Sequence, residues 1–181
     1  RDHRDHLYLD GAHRFDLEQD VKGDHQDVKG VKVVQLAYTF KLNWNDRLSA
    51  TAPMQVNRIN PKQIIADAAD ARERGAEIVI VSLHWGQEFR STVSKSQTQV
   101  ANELTASGQI DLIAGSHVHV LQPIRQVNGT WVLFGLGNLP GNRGLLASWT
   151  FPRGGQVPGP GNERVHMNLW QCNWGGRPQN G

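Results

Sequence analysis

An α/β protein built on a parallel sheet is the fold class the sequence predicts, and three observations predict it. Glu77–Leu83 (EIVIVSL) and Ile110–Ala114 (IDLIA) are short apolar runs, the composition of strands covered on both faces. Between them Val100, Ala101 and Leu104 form an apolar stripe at helical spacing, ended by Gly108. Ser94-Lys95-Ser96-Gln97 opens that stripe as a capping box. Strand, helix and strand in this order make a right-handed crossover, which sets the two strands parallel.

Upstream, residues 1–30 are polar and show no helical or strand period, so they are expected to be loose or to belong to something missing. DVKG recurs at 20–23 and 27–30, but two copies do not make a repeat architecture. Val31–Thr39 (VKVVQLAYT) is β-branched and aromatic and predicts a strand. Residues 41–58 read as a loop. Asn60-Pro61 then starts a helix, because Asn caps well and proline is tolerated at the first helical position. Ile64, Ala68 and Ala71 supply its apolar face and Gly75 its stop.

Downstream, Asn128-Gly129 between Val127 and Trp131-Val132-Leu133-Phe134 is a hairpin signal, so the sheet is expected to turn antiparallel there. Leu145–Phe151 predicts a further strand, residues 152–162 a Gly/Pro loop, and alternating Val165, Met167 and Leu169 a terminal edge strand.

The chain has 181 residues, enough for one domain with a real core. Its formal charge of +2 is scattered, which argues against nucleic acid or an acidic membrane as partner. Cys172 is the single cysteine, so neither an intrachain disulfide nor a cysteine-based zinc cluster is available. No run approaches the ~18 apolar residues of a membrane span, and no signal peptide is visible. The chain opens with Arg1-Asp2-His3 and is expected to be a fragment or a processed product.

Chemistry concentrates in three histidines. His84 follows Glu77–Leu83, and His117 and His119 follow Ile110–Ala114. In open α/β sheets ligands bind beyond the carboxyl ends of strands, so three imidazoles are expected on one rim. Were the backbone extended at His117 and His119, both rings would project to one side with Cα atoms roughly 6.5–7 Å apart. They could then share one cation, or each take one of two ions. Zn²⁺ and Mn²⁺ both accept imidazole nitrogen. An isolated HxH in a loop also serves structure alone, and on the residues by themselves that alternative stays open.

SLHWGQEF (82–89), DLIAGSHVHVLQP (111–123) and WVLFGLGNL (131–139), in that order, resemble the CapA family of poly-γ-glutamate capsule-synthesis proteins, relatives of the calcineurin-like metallophosphatases. VKVVQLAYTFKLN (31–43) resembles the same family. The likeness runs over 27–151, leaving 1–26 as a poorly matched segment and 152–181 as the loop and edge strand.

The resemblance implies a four-layer α/β/β/α sandwich with parallel βαβ units followed by antiparallel strands. It implies a divalent metal, Mn²⁺ or Zn²⁺, dinuclear in the complete fold, with His84, His117 and His119 as ligands. Trp85, Gly86 and Glu88 match the signature around the first histidine, and Asn138 matches the asparagine of the GN motif. The family's earlier Gly-Asp strand end, Asn-His segment and bridging aspartate have no counterpart here. The chain therefore resembles the C-terminal half of the fold, with an incomplete site.

Each candidate carries a competing reading. Glu88 could swing toward His84 and join His117 and His119 in catalysis, or remain a loop carboxylate paired with Arg90 or Arg125. Asp111 lies at the wrong end of its strand to help. Gln97 is expected to serve the capping box. Trp85 could stack on substrate or be buried at the rim. Asn138 could bind substrate or shape a turn. His3, His6 and His13 are expected to be solvated, and His166 exposed.

Three functions compete. The first is a metal-dependent, phosphoesterase-like hydrolase of the bacterial envelope, acting on a phosphoester or anionic polymer beside the capsule-synthesis membrane machinery, with His117 or His119 as acid. The second is a non-catalytic polymer-binding or scaffolding component. The third is an inactive fragment. A parallel sheet missing its first strands would expose an apolar edge, so poor solubility is expected.

Overall fold

The computed structural model describes residues 24–28, 31–41, 57–138, 143–144, 147–152 and 164–169, with side chains over 31–41 and 57–137. Ten strands and two helices follow in chain order among them. They are β1 (Asp24–Val28), β2 (Val31–Thr39), α1 (Pro61–Glu73), β3 (Ile78–His84), α2 (Lys95–Ala106), β4 (Leu112–Ser116), β5 (Ile124–Val127), β6 (Thr130–Leu133), β7 (Gly137–Asn138), β8 (Arg143–Gly144), β9 (Ala147–Pro152) and β10 (Arg164–Leu169).

Six strands form one mixed sheet in the order β1-β2-β3-β4-β6-β5. The inner four, β2, β3, β4 and β6, run parallel. The strand–helix–strand order predicts this for the first three, whereas β6 falls where the sheet is expected to turn antiparallel and instead lies parallel to β4. The Asn128-Gly129 hairpin joins β5 to β6 antiparallel, also as predicted. β9 pairs with β10, and β7 with β8, in two-stranded ribbons.

Both helices start where their caps require. The Asn60 side chain accepts from the Lys62 and Gln63 amides, and Gly75 closes α1 at φ +93°. Ser94 and Gln97 complete the capping box of α2. Each such cap is worth about 1 kcal/mol. Ile64, Ala68 and Ala71 on α1, and Ala101 and Leu104 on α2, are buried against Val34, Leu36, Val79, Val81 and Ile113. The opposite face of the sheet is buried as well, through Val33, Ile78, Ile80, Leu112 and Leu133. This two-sided burial accounts for the absence of polar alternation in β3 and β4.

For Asp24–Val28 the expectation of a loose segment is corrected. β1 pairs antiparallel with β2 from Asp24 opposite Gln35 to Val28 opposite Val31. The sequence DHQDV has no apolar alternation because an outer strand needs only its backbone groups to fill a neighbour's ladder. β2 is therefore not the bare apolar edge on which poor solubility was expected. At the other side lies β5, whose first three residues are exposed.

Asp111 sits at the amino end of β4, where it accepts from the Val79 amide at 2.7 Å and pairs with Arg72 at 2.5 Å. Arg72 also donates to the carbonyls of Gln109, Ala76 and Glu77. The carboxylate thus ties α1, β3 and β4 together at the end of the sheet away from the histidines. Asp111→Ala is expected to lower stability by about 1.5–3 kcal/mol, the range for hydrogen bonds to charged groups. Urea unfolding at neutral pH measures it.

Candidate metal centre

The parallel register aligns Thr39 of β2, His84 of β3 and Ser116 of β4 in one row along the carboxyl rim. The chain leaves β3 through Trp85 and Gly86. Gly86 adopts φ +89°, and a Cβ there would come within 2.7 Å of Val118 and 2.9 Å of Gln97. Only glycine gives this tight exit. The loop then folds back, and the Phe89 amide donates to the Val118 carbonyl at 2.8 Å. That bond carries Glu88 to the segment after β4.

Glu88, His117 and His119 form the cluster. Their ligand-capable atoms all lie within 4.8 Å of one another. His117 is 4% exposed, and its Nδ1 is buried with no hydrogen-bond partner. Glu88 Oε1 lies 3.9 Å from that nitrogen, too far for a hydrogen bond. His84 is not in the closed cluster, but its ring centroid is 4.4 Å from that of His117. The His117 and His119 centroids are 6.2 Å apart.

The route by which the HxH pair converges differs from the expected extended backbone. β4 ends at Ser116, and His117 and His119 take φ +89° and +60°. Left-handed backbone costs a non-glycine residue roughly 1–2 kcal/mol, and such strain gathers at functional sites. Phe89 shares it at φ +60°.

Burial favours the neutral form of His84 and His117. Burial first, then the neighbouring His117, His119 and Lys41, together lower the His84 pKa to about 4 against the opposing pull of Glu88. Burial likewise lowers His117, again against the pull of Glu88. Neutral rings keep the lone pair a cation needs. An orphaned, desolvated nitrogen beside a carboxylate and a second imidazole fits a divalent cation of the Zn²⁺ or Mn²⁺ class. Glu88, His117 and His119 would hold it, with His84 alongside.

A pH dependence follows for the metal-free chain. Above the ordinary histidine value of 6.5, His84 is neutral folded or unfolded, and its contribution does not change. Between 6.5 and about 4 the unfolded chain takes up a proton that the folded ring refuses, so stability falls as pH falls. Below about 4 both states are charged and the loss is complete. Urea midpoints across this window, with chelator present, are expected to drop less in His84→Ala.

Trp85 is core rather than a surface for substrate. It is 3% exposed, donates its indole N–H to the Phe134 carbonyl at 2.9 Å and stacks on that ring at 5.7 Å. Gln97 has a second role beyond its cap: its amide donates to Gln122 at 2.8 Å. Gln122 in turn donates to the carbonyls of Arg90 and Thr92, which anchors the loop bearing Glu88. Glu88 is turned to His117. The Asn138 and His166 side chains, and His3, His6 and His13, lie outside the described residues.

Sequence reasoning missed four residues at this rim. Phe40, 39% exposed, packs 4.9 Å from His117 and carries the Lys41 ammonium 5.3 Å from its ring centre. Phe89, 72% exposed, stacks on His119 at 5.5 Å. Thr39 contacts His84, and Gln122 holds the loop. Only Phe40 and Phe89 left a signal, as large apolar residues just beyond strand ends.

Parallel strands whose carboxyl ends carry an imidazole–carboxylate cluster around the buried His117 define an α/β protein with a candidate divalent-cation site. The chain belongs to the family of bacterial capsule synthesis proteins, PGA_cap, which matches residues 4–142. That match takes in most of the segment before Asp27, which carries none of the family motifs quoted above.

Among its relatives, the PGA biosynthesis protein CapA of Bacillus subtilis (strain 168) is 33% identical over 132 residues, covering 73% of this chain and 33% of the relative. The capsule biosynthesis protein CapA of Bacillus anthracis is 30% identical over 136 residues, covering 73% and 32%. A probable polyglutamine synthesis accessory protein of Mycobacterium tuberculosis (strain CDC 1551 / Oshkosh) is 31% identical over 77 residues, covering 42% and 19%. The chain spans about a third of the length of the two CapA relatives it matches. No helix among the described residues is long and apolar enough to cross a membrane.

Proposed function

We propose that this chain carries the histidine-bearing part of a metal-dependent, phosphoesterase-like hydrolase in capsule or poly-γ-glutamate synthesis at the cell envelope. The observation that carries the reading is the buried, partnerless Nδ1 of His117 within a closed Glu88–His117–His119 cluster. Desolvating a ring nitrogen without a partner costs about 1–3 kcal/mol, which a cation would offset. A bound divalent ion supplies Lewis-acid polarisation of a phosphoryl or acyl oxygen.

The chain's own residues divide the remaining work. His117 is fixed and water-excluded; Glu88, 45% exposed, can meet both the cluster and solvent. His119 is half-buried at the rim, where the alternative to binding the ion is to hold or give a proton near a leaving group. Lys41 and the exposed rings of Phe40 and Phe89 flank the opening toward an anionic polymer or phosphoester. The four-layer α/β/β/α sandwich belongs to the same reading. Its support is the apolar sheet face opposite the helices, which is buried as an inner face of a sandwich is.

One observation favours a second reading, a non-catalytic polymer-binding component. The cluster supplies a single carboxylate, whereas a two-ion centre ordinarily shares a bridging one. Elemental analysis after dialysis decides first. Near-stoichiometric Zn²⁺ or Mn²⁺ is expected, lost in the His117→Ala/His119→Ala double variant; equal and negligible metal in both would sink the reading. A phosphodiesterase assay with added Mn²⁺ then separates catalyst from binder.

A further inference from the structure

We propose that Thr39 is a positioning residue that fixes the tautomer of His84, leaving Nε2 as that ring's lone-pair donor. The proposal rests on the cation-site reading. Register pairs Thr39 with His84 at the carboxyl ends of β2 and β3. Thr39 Oγ1 lies 2.7 Å from the Lys41 carbonyl oxygen and 3.0 Å from His84 Nδ1.

A threonine hydroxyl has one proton to give. A carbonyl oxygen can only accept, so that proton goes to Lys41. Given to His84 instead, it would leave two oxygens facing each other at 2.7 Å with no hydrogen between them. Oγ1 therefore accepts from His84, and Nδ1 carries the hydrogen. In a neutral imidazole the other nitrogen is then bare.

The hydroxyl is held in place from several sides. The Thr39 amide donates to Asn57 and its carbonyl accepts from Ile59, each at 2.9 Å. The Phe40 amide donates to the His84 carbonyl at 3.1 Å, which locks the two strand ends together. A β-branched side chain adds stiffness at χ1. Hydrogen-bond partners behind a metal-binding histidine fix its tautomer and orientation, and losing one costs about 10–100-fold in metal affinity. The His84 ring, so fixed, lies against His117 of the cluster.

The test uses the ¹⁵N-labelled chain, first stripped with chelator. Two-bond ¹H–¹⁵N spectra are expected to show His84 protonated on Nδ1. Thr39→Val keeps the shape and removes the acceptor. It is expected to move His84 toward the Nε2–H form and to weaken Zn²⁺ binding about 10–100-fold, while Thr39→Ser keeps both properties. An Nε2–H ring in the unmutated chain overturns the proposal whether or not any variant folds. Unchanged Zn²⁺ affinity in Thr39→Val overturns the donor role of His84. An unmutated chain with Nδ1–H at His84 but no Zn²⁺ uptake overturns the cation-site reading and leaves the hold of Thr39 on the ring supported.

Discussion

Replacing His119 with glycine is expected to abolish stoichiometric Zn²⁺ or Mn²⁺ binding while leaving the metal-free chain at least as stable as the unmutated one. The two halves of this result have separate causes. Stoichiometric binding fails because the closed cluster loses one of its three members, and His117, the half-exposed Glu88 and the adjacent His84 ring do not form a closed set. Stability holds because His119 sits at φ +60°, where glycine is at ease and an L side chain is not. Relief of roughly 1–2 kcal/mol offsets the lost stacking on Phe89, a ring that is itself 72% exposed.

Isothermal titration reports the first half, and thermal melting with chelator the second. Unchanged affinity would show that His119 is not a ligand. A fall of several degrees in the metal-free Tm would show that the left-handed backbone is not where strain is stored. A gain or parity in stability with loss of binding is the signature of a residue kept for function against its local preference.

How much of this was legible in the sequence follows from what each feature depends on. The strands at 78–84 and 112–116 were legible because two-sided burial leaves apolar runs, and that at 31–39 because its residues are β-branched and aromatic. Both helices were legible because Asn60, Ser94 and Gln97 are local caps that act within one turn. β1 was not, since its role is to complete the ladder of β2 and its side chains need carry no pattern.

At the rim, the histidine spacing announced a meeting of rings but not its geometry. Positive φ at His117 and His119 arises where the chain folds back after β4, and histidine gives no sign of it as glycine does at Gly86. The competing roles of Glu88 turned on a single backbone bond, from Phe89 to Val118, that no side-chain pattern encodes. Thr39 depends on strand register, which becomes visible only once β2 and β3 are paired.

Gly115→Ala is expected to be the most damaging small substitution, lowering stability by about 3 kcal/mol or more, through overpacking and a lost buried hydrogen bond together. Gly115 lies in β4, in register with Leu83 of β3. A Cβ there would overlap the Phe134 carbonyl and the Trp85 indole nitrogen, the two partners of a buried hydrogen bond. Neither side can yield cheaply: one is backbone, and the other is a ring 3% exposed and stacked on Phe134. Urea midpoints measure the loss, and tryptophan fluorescence is expected to show a more exposed indole. Because Trp85 follows His84 and Gly115 precedes the turn into His117, the same substitution is expected to weaken metal binding without touching a ligand. The paired substitution Trp85→Phe/Gly115→Ala removes the nitrogen that the methyl meets and is expected to recover part of the stability. An additive result in that double variant would place the damage at the Phe134 carbonyl, whereas recovery would place it at the indole, where the packing that sets the rim begins.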